Sequence, residues 1–193
     1  MKQDIILSGV GGQGILSIAF VIDNAALKDE VGFKQAEVHG MSQRGGAVQS
    51  HMRLSDEPIF SDLIPKGMAD MILSVEPMEA LRYLDYLHPE GSLITSSTPF
   101  VNVPDYPDLE KLLQHIRNLE KAVIIDSKAL AQEAGSARAQ NMVMLGAASQ
   151  LLVLKESSLL EFIRVLFESR GKEMVDLNLE AFRLGREAAA GNF

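Results

Sequence analysis

A single α/β domain, with a mostly parallel sheet covered by helices on both faces, is the fold class this 193-residue sequence predicts. Three observations carry that expectation. Short apolar runs rich in β-branched residues alternate with helical patterns along most of the chain. The first run ends in a glycine cluster that opens directly into an apolar helix. From about residue 141 onward the pattern is helical only. A strand–turn–helix start followed by alternating units makes the domain Rossmann-like, with three layers, a small β-hairpin and C-terminal helices. No internal repeat, low-complexity tract or linker divides it, so residues 1–193 read as one domain.

Each element has its own signal. Ile5, Ile6 and Leu7 form a buried strand that ends at Ser8. Residues 15–27 are apolar, contain alanines and lack Pro and Gly, which predicts a helix packed on that strand. Residues 32–46 hold Gly32, Gly40, Gly45 and Gly46 among polar residues and read as a loop. Residues 48–54 alternate, with Val48, Ser50, Met52 and Leu54 opposed to Gln49, His51 and Arg53, as in a half-exposed strand. Asp56, Glu57 and Pro58 then make a turn, with Ile59 and Phe60 as a short return strand. Residues 71–75 form a buried strand. A helix over 77–87 follows, with Pro77 tolerated in its first turn. Pro89, Glu90 and Gly91 form a turn before a strand at 92–96. The proline-containing stretch 99–107 is a connection within the domain. A helix at 109–119 precedes a strand at 122–125. Asp126 or Ser127 caps a helix at 128–134. Three helices, 142–154, 159–167 and 177–189, complete the chain, with Asn141 as a cap and Gly171 as a stop between the last two.

Composition excludes several function classes. The net charge is −8, which repels phosphate backbones, so nucleic acid is not an expected partner. The cysteine count is 0, which removes disulfides, thiol nucleophiles, cysteine zinc sites and cysteine-ligated iron–sulfur clusters from this chain. No apolar run reaches the roughly 20 residues of a membrane span. Asp4 and the glycines from Gly9 onward interrupt what would otherwise resemble a signal peptide. A cytoplasmic protein without membrane attachment is the expectation. His39, His51, His88 and His115 are scattered, so no metal site is expected.

Two segments carry chemistry. Gly9, Gly11 and Gly14, with Gly12 and Gln13, fit G-x-G-x-x-G between a strand and a helix. That context permits a tight turn, close backbone approach, and anion binding at the helix N-terminus. A dinucleotide site would add an acidic residue at the end of a second apolar strand. Glu37 lies at a plausible distance, but residues 32–37 are polar, so packing or subunit contact is the preferred reading of the loop. Ile15 and Leu16 stand where a P-loop needs Lys and Ser or Thr, which argues against an NTPase. The second segment runs Glu37-Val38-His39-Gly40-Met41-Ser42-Gln43-Arg44-Gly45-Gly46. It places Arg44, suited to clamp a carboxylate or phosphate, among glycines that let a backbone approach a ligand or partner. Glu76 and Glu79 flank a helix start and compensate its dipole rather than forming an acid–base pair. Ser42 lacks a nucleophile elbow. Met41, Met142 and Met144 are core filler. The segment Arg138-Ala139-Gln140-Asn141 is a secondary candidate for partner contact.

Taken together, G-x-G-G-Q-G at Gly9–Gly14, E-x-H-G-M-S-Q-R-G-G continued by Val48, Ser50, His51 and Arg53, and N-x-x-x-L-G-A at Asn141 with Leu145, Gly146 and Ala147 resemble the gamma-type domain of 2-oxoacid:ferredoxin oxidoreductases. The resemblance covers essentially the whole chain, and the middle motif is its most specific part. The H-G-M-S-Q-R-G-G form is most similar to the small (beta) subunits of the branch that uses aryl pyruvates. The resemblance implies oxidative decarboxylation of a 2-oxo acid with coenzyme A as co-substrate. Electrons leave through iron–sulfur clusters to ferredoxin. It further implies a large alpha subunit carrying thiamine diphosphate, magnesium and the clusters. This chain would then bind no cofactor alone, supply no catalytic residue, meet ferredoxin only indirectly, and be inactive in isolation. By the same analogy, Ser42, Gln43, Arg44, Gly45 and Gly46 contact the large subunit near substrate or coenzyme A. Gly9, Gly11, Gly12, Gln13 and Gly14 build the neighbouring turn. The alternatives are a free-standing nucleotide-binding oxidoreductase or a regulatory module using the same glycine loop.

Overall fold

The computed structural model describes residues 1–39 and 45–192. Six strands form one sheet in the order β2-β3-β1-β4-β5-β6. They are β1 (Lys2–Val10), β2 (Gly32–His39), β3 (Ala47–Ser55), β4 (Ala69–Ser74), β5 (Leu87–Ser96) and β6 (Ala122–Ile125). Parallel pairing joins β1 to β4, β4 to β5 and β5 to β6. Only β3 runs the other way, antiparallel to both β1 and β2. Strands β1 and β2, linked through α1 (Ile15–Lys28), therefore point in the same direction. They are the two arms of a βαβ unit whose gap is filled by β3 returning from β2.

The faces of the sheet follow from the two-residue period of a strand. On β1, Ile5 and Leu7 join the larger core cluster, built with α1, α4 (Ser127–Glu133), α5 (Gln140–Ala148), α6 (Glu156–Phe167) and α7 (Lys172–Ala189). Ile6 points the other way. It packs with Ile72, Leu93, Ala80, Tyr83 and Ile116 under α2 (Pro77–Arg82) and α3 (Leu109–Arg117). The result is the three-layer α/β domain expected from the sequence. Met142 and Met144 are fully buried core residues. Among the described residues no helix is long and apolar enough to cross a membrane.

The structure corrects several local expectations. The segment expected as loop at 32–46 begins with strand β2, whose polar alternation is that of an edge strand with a single neighbour. Its inner side chains are Phe33, against the larger core, and Gln35, which donates to Ser50 Oγ at 2.9 Å. The hairpin partner of β3 is β2, not residues 59–60, where Phe60 is 93% exposed. Arg53 instead holds that segment by donating to the carbonyls of Ser61 and Leu63 at 3.1 and 3.2 Å. Its other edge makes a two-pronged ion pair with the buried Asp4, at 2.8 and 3.0 Å. His51, expected on an outer face, is buried as well, and its Nδ1 accepts from the Ile64 N–H at 3.0 Å.

Pro89, Glu90 and Gly91 lie within β5, as an irregularity where Ala69 faces Leu87 but Met71 already faces Ser92. The helix expected over 77–87 stops at Arg82, and a 3-10 turn at Leu84–Tyr86 follows. α5 ends at Ala148 rather than 154. The chain beyond it is captured by the Gln3 amide, which donates to the Leu151 carbonyl at 2.7 Å and accepts from the Val153 N–H at 3.1 Å. Asn141 lies inside α5 and does not cap it; Asp126 caps α4 as expected, accepting from the Ala129 N–H.

The late N-x-x-x-L-G-A motif has a packing cause. α5 and α7 cross with backbones touching. A Cβ on Gly146 would lie 2.0 Å from the Phe182 carbonyl oxygen, and one on Gly185 would lie 1.9 Å from that of Val143. Backbone cannot yield as a side-chain tip does, so the helices must part. Gly146→Ala and Gly185→Ala are each expected to cost about 2–3 kcal/mol. That would lower the melting temperature by about 5–10 °C in a thermal scan of the isolated chain.

Candidate functional site

The site is built where β1 runs out. Gly9 is buried at the strand end, and a Cβ there would meet Val75 Cγ2 at 2.4 Å and Ile15 Cδ1 at 2.8 Å. Gly14 sits at the N-cap of α1 with φ of 82°, a left-handed conformation that favours glycine. Its neighbour is Asn141 of α5, whose Nδ2 donates to the Gly14 carbonyl at 3.3 Å. Gln13 folds back into the turn. Its Oε1 accepts from the Val10 N–H at 2.8 Å and its Nε2 donates to the Val75 carbonyl at 3.3 Å. The predicted tight turn is present, and its side-chain polarity is spent on holding itself together.

The two glycine-rich motifs meet. The β1–β3 ladder continues past Val10 opposite Ala47 into the turn. The Gly11 N–H donates to the Gly46 carbonyl at 2.8 Å, and the Gly45 N–H donates to the Gly11 carbonyl at 3.3 Å. The Gly11 donor that a phosphate loop would offer to a ligand is therefore given to the returning hairpin. Of the predicted contact residues, Gly45 and Gly46 lie at this junction. Ser42, Gln43 and Arg44 lie outside the described residues, between β2 and Gly45. Three later residues of the motif are structural: Ser50, His51 and Arg53 hold β2 and the 58–66 segment to the sheet.

A third segment supports the junction. Asn102, from the connection after β5, donates through Nδ2 to the Gly45 carbonyl at 2.6 Å. That connection is moored by Glu76, a fully buried carboxylate at the N-cap of α2. Glu76 accepts from the Glu79 N–H at 2.8 Å, from the Phe100 N–H at 3.3 Å, and from the Tyr106 hydroxyl. Burial, followed by this bond to a carboxylate, pushes the Tyr106 phenol well above its usual range. Glu79 is raised by burial while Arg82 holds it in an ion pair. The glutamates thus cap and moor. Glu76 is legible in the sequence as a helix-start residue. Asn102 and Tyr106 carried no signal, because their partners are 57 and 30 residues away.

Two hollows flank the turn. One, of about 240 Å³, lies between Gly11, Gly12, Gly14, Leu16 and Glu37. Glu37 does approach the glycine turn, but from β2, one strand further out than β1's neighbour. This recess is smaller than the roughly 300–1,000 Å³ of ordinary small-molecule pockets. The other, of about 470 Å³, opens at the C-terminal ends of β1, β4 and β5, where ligands of open α/β sheets bind. It is lined by Gly12, Gln13, Thr98, Phe100 and the segment 137–141. Its charged side chains are Lys128 and Arg138, both positive. Behind it Arg138 and Arg170 line a further cavity of about 290 Å³. A chain of net charge −8 has thus lined these last two cavities with cations and no carboxylates, while Glu37 lines the smaller recess.

If Asn102 holds the hairpin tip, Asn102→Ala leaves the Gly45 carbonyl without its donor. Denaturant unfolding is expected to show a loss of about 1–2 kcal/mol. Amide exchange at Gly11 and Gly45 is expected to quicken while β4 and β5 keep their protection.

A family model described as pyruvate ferredoxin/flavodoxin oxidoreductase matches residues 4–188. Proteins named indolepyruvate oxidoreductase subunit IorB, from Thermococcus kodakarensis and Pyrococcus horikoshii, are each 38% identical to the chain. Both matches span 98% of this chain and 97% of the relative. A 2-oxoglutarate synthase subunit KorC from Methanocaldococcus jannaschii is 30% identical over 98% of this chain and 95% of the relative. The gamma subunit of a keto/oxoacid ferredoxin oxidoreductase from Geobacter sulfurreducens superposes with a TM-score of 0.73 at 25% identity, covering 97% of this chain and 98% of that one. The 2-oxoglutarate:ferredoxin oxidoreductase of Magnetococcus marinus, solved with 2-oxoglutarate, coenzyme A and succinyl-CoA, gives a TM-score of 0.78 at 25% identity, with 97% of this chain matching 31% of that chain. With residues 4–188 matched and relatives similar from end to end, this chain belongs to the pyruvate ferredoxin/flavodoxin oxidoreductase family.

Proposed function

We propose that the chain is the small accessory subunit of an indolepyruvate:ferredoxin oxidoreductase. The observation that carries this reading is similarity over essentially the full length to proteins named IorB, at 38% identity against 30% for one named KorC. The reaction takes an aryl 2-oxo acid, coenzyme A and two oxidised ferredoxins. It yields an acyl-CoA, carbon dioxide, two reduced ferredoxins and a proton.

This chain does not fit the redox or thiamine groups of that reaction. It has no cysteine to ligate an iron–sulfur cluster. Among the described residues no three His, Asp or Glu side chains converge on a common point that would hold magnesium. Those groups belong to a larger partner subunit in this reading. The chain's own share is to shape one wall of the site and to hold an anion. Coenzyme A carries phosphates, and the cleft beside the glycine turn presents Lys128 and Arg138 without a carboxylate. Arg44, on the segment next to Gly45, adds a planar cation suited to a phosphate or carboxylate. The nucleotide-binding alternative is the weaker one, because the Gly11 N–H is already bonded to Gly46.

The test is oxygen-free co-expression with a thiamine-diphosphate subunit from the same cells, followed by assay with indolepyruvate, coenzyme A and ferredoxin. The expected result is a brown complex that reduces ferredoxin only when both chains are present. Arg44→Ala, and Lys128→Glu with Arg138→Glu, should raise the KM for coenzyme A by about 10–100-fold, the scale of a lost charged hydrogen bond, without lowering the melting temperature. A colourless chain that purifies alone and binds NAD(P) or a flavin saturably would overturn the reading.

A further inference from the structure

Helix α1 is apolar on both sides. Its inner face, including Ile15, Ile18, Val21 and Ile22, is buried in the larger core. Its outer face carries no ordinary surface composition. From Ile15 to Leu27 the sole ionisable residue is Asp23. At about 100° per residue, Leu16, Phe20, Asp23 and Leu27 fall within an arc of about 60°. The three apolar members of that stripe stand out: Leu16 is 55%, Phe20 36% and Leu27 63% exposed. A helix that is hydrophobic all round belongs in an interior, and this one lies at the surface of the isolated chain.

Along the helix axis Asp23 falls between Phe20 and Leu27, at one edge of the stripe. It is half-buried, and its Oδ1 is buried with no hydrogen-bond partner. Burial pushes its carboxyl up to about 7. A carboxylate withdrawn from water and left without a donor is costly unless a cation meets it. No cation of α1 does so: Lys28 is paired with Glu161 of α6. The other polar group beside the stripe, Asn24, is turned onto the Phe20 carbonyl at 2.7 Å.

We propose that Leu16, Phe20, Asp23 and Leu27 form a docking face for a segment of the larger subunit that presents an arginine or lysine between apolar side chains. This rests on the accessory-subunit reading given above. Charge complementarity selects the occupant. A second copy docked on a two-fold axis would set Asp23 against the same apolar, acidic patch and bring it no cation. A basic, apolar-flanked segment sets a cation beside the half-buried carboxylate and covers the stripe together, and the chain's net charge of −8 favours the same partner. The face also joins the site. Leu16 lines the recess beside Gly11, Gly12 and Gly14, so a segment lying along α1 ends at the glycine turn.

The experiment uses the co-expressed pair and measures the dissociation constant between small and large subunits. Variants are Asp23→Asn, Asp23→Lys and Phe20→Ser, with Lys34→Glu as control; Lys34 is on β2 and pairs with Asp62. Asp23→Asn and Phe20→Ser are expected to weaken association at least tenfold and Asp23→Lys more, while Lys34→Glu does not. The isolated Asp23→Asn chain should melt at or above the wild-type temperature at pH 8, because it loses only an unpaired charge. A purely internal role for Asp23 would instead lower that temperature. Wild-type affinity in all three stripe variants overturns the proposal, as does loss of self-association with the large subunit still bound normally. If the wild-type chain pairs with no large subunit, the accessory-subunit reading itself falls and takes this face with it.

Discussion

Strand β3 lies between two strands that a βαβ unit would otherwise place side by side, and it runs against both. Its N-terminal end therefore arrives where β1 terminates, at the level of the glycine turn. Backbone pairing there does not stop at the ladder. Gly11 both donates to Gly46 and accepts from Gly45. The turn and the start of β3 are thereby tied to one point. A Rossmann-like start that elsewhere leaves its glycine loop open for a pyrophosphate is here a socket for the protein's own hairpin. The positive cleft lies beside that socket, lined by Lys128 and Arg138.

The support for this junction is polar, with the fully buried Glu76 at its base and part-buried bonds around it. Glu76 carries bonds from the start of α2, from Phe100 and from Tyr106. The connection so moored delivers Asn102 to Gly45. Asn141 reaches Gly14 from α5. Its helix α5 is pinned by a glycine-mediated crossing with α7. Three distant segments thus converge on a turn a few residues long. A low-dielectric setting makes each missing bond expensive, so the convergence acts as a rigid platform.

Much of the architecture was legible because it depends on short-range pattern. The apolar runs of β1, β4 and β6, the inward face of β3, the Asp126 cap and the Gly171 break all appear at the positions their local chemistry demands. Strand β2 was not legible. An edge strand buries only one side chain in two and pairs on one side, so its composition is that of a loop. The return strand expected at residues 59–60 failed for a related reason. Arg53 bonds to Ser61 and Leu63 hold that segment without any ladder. The end of α5 is not legible locally because Gln3, some 150 residues away, takes up the backbone groups beyond it.

The sequence by itself determined the fold class, the two glycine-rich motifs and, through its lack of cysteine, that this chain ligates no thiolate-bound cluster. These depend on residue identity and local spacing. The tertiary structure alone decided that the two motifs meet, that Asn102 and Glu76 hold them, and that Ser50, His51 and Arg53 of the long motif are structural. It also decided that Asp23 is stranded on an apolar stripe. Each of these depends on bringing segments tens of residues apart within hydrogen-bond distance or out of water. A one-dimensional pattern carries no record of such contacts, because the burial that sets their energy exists only once the chain has folded.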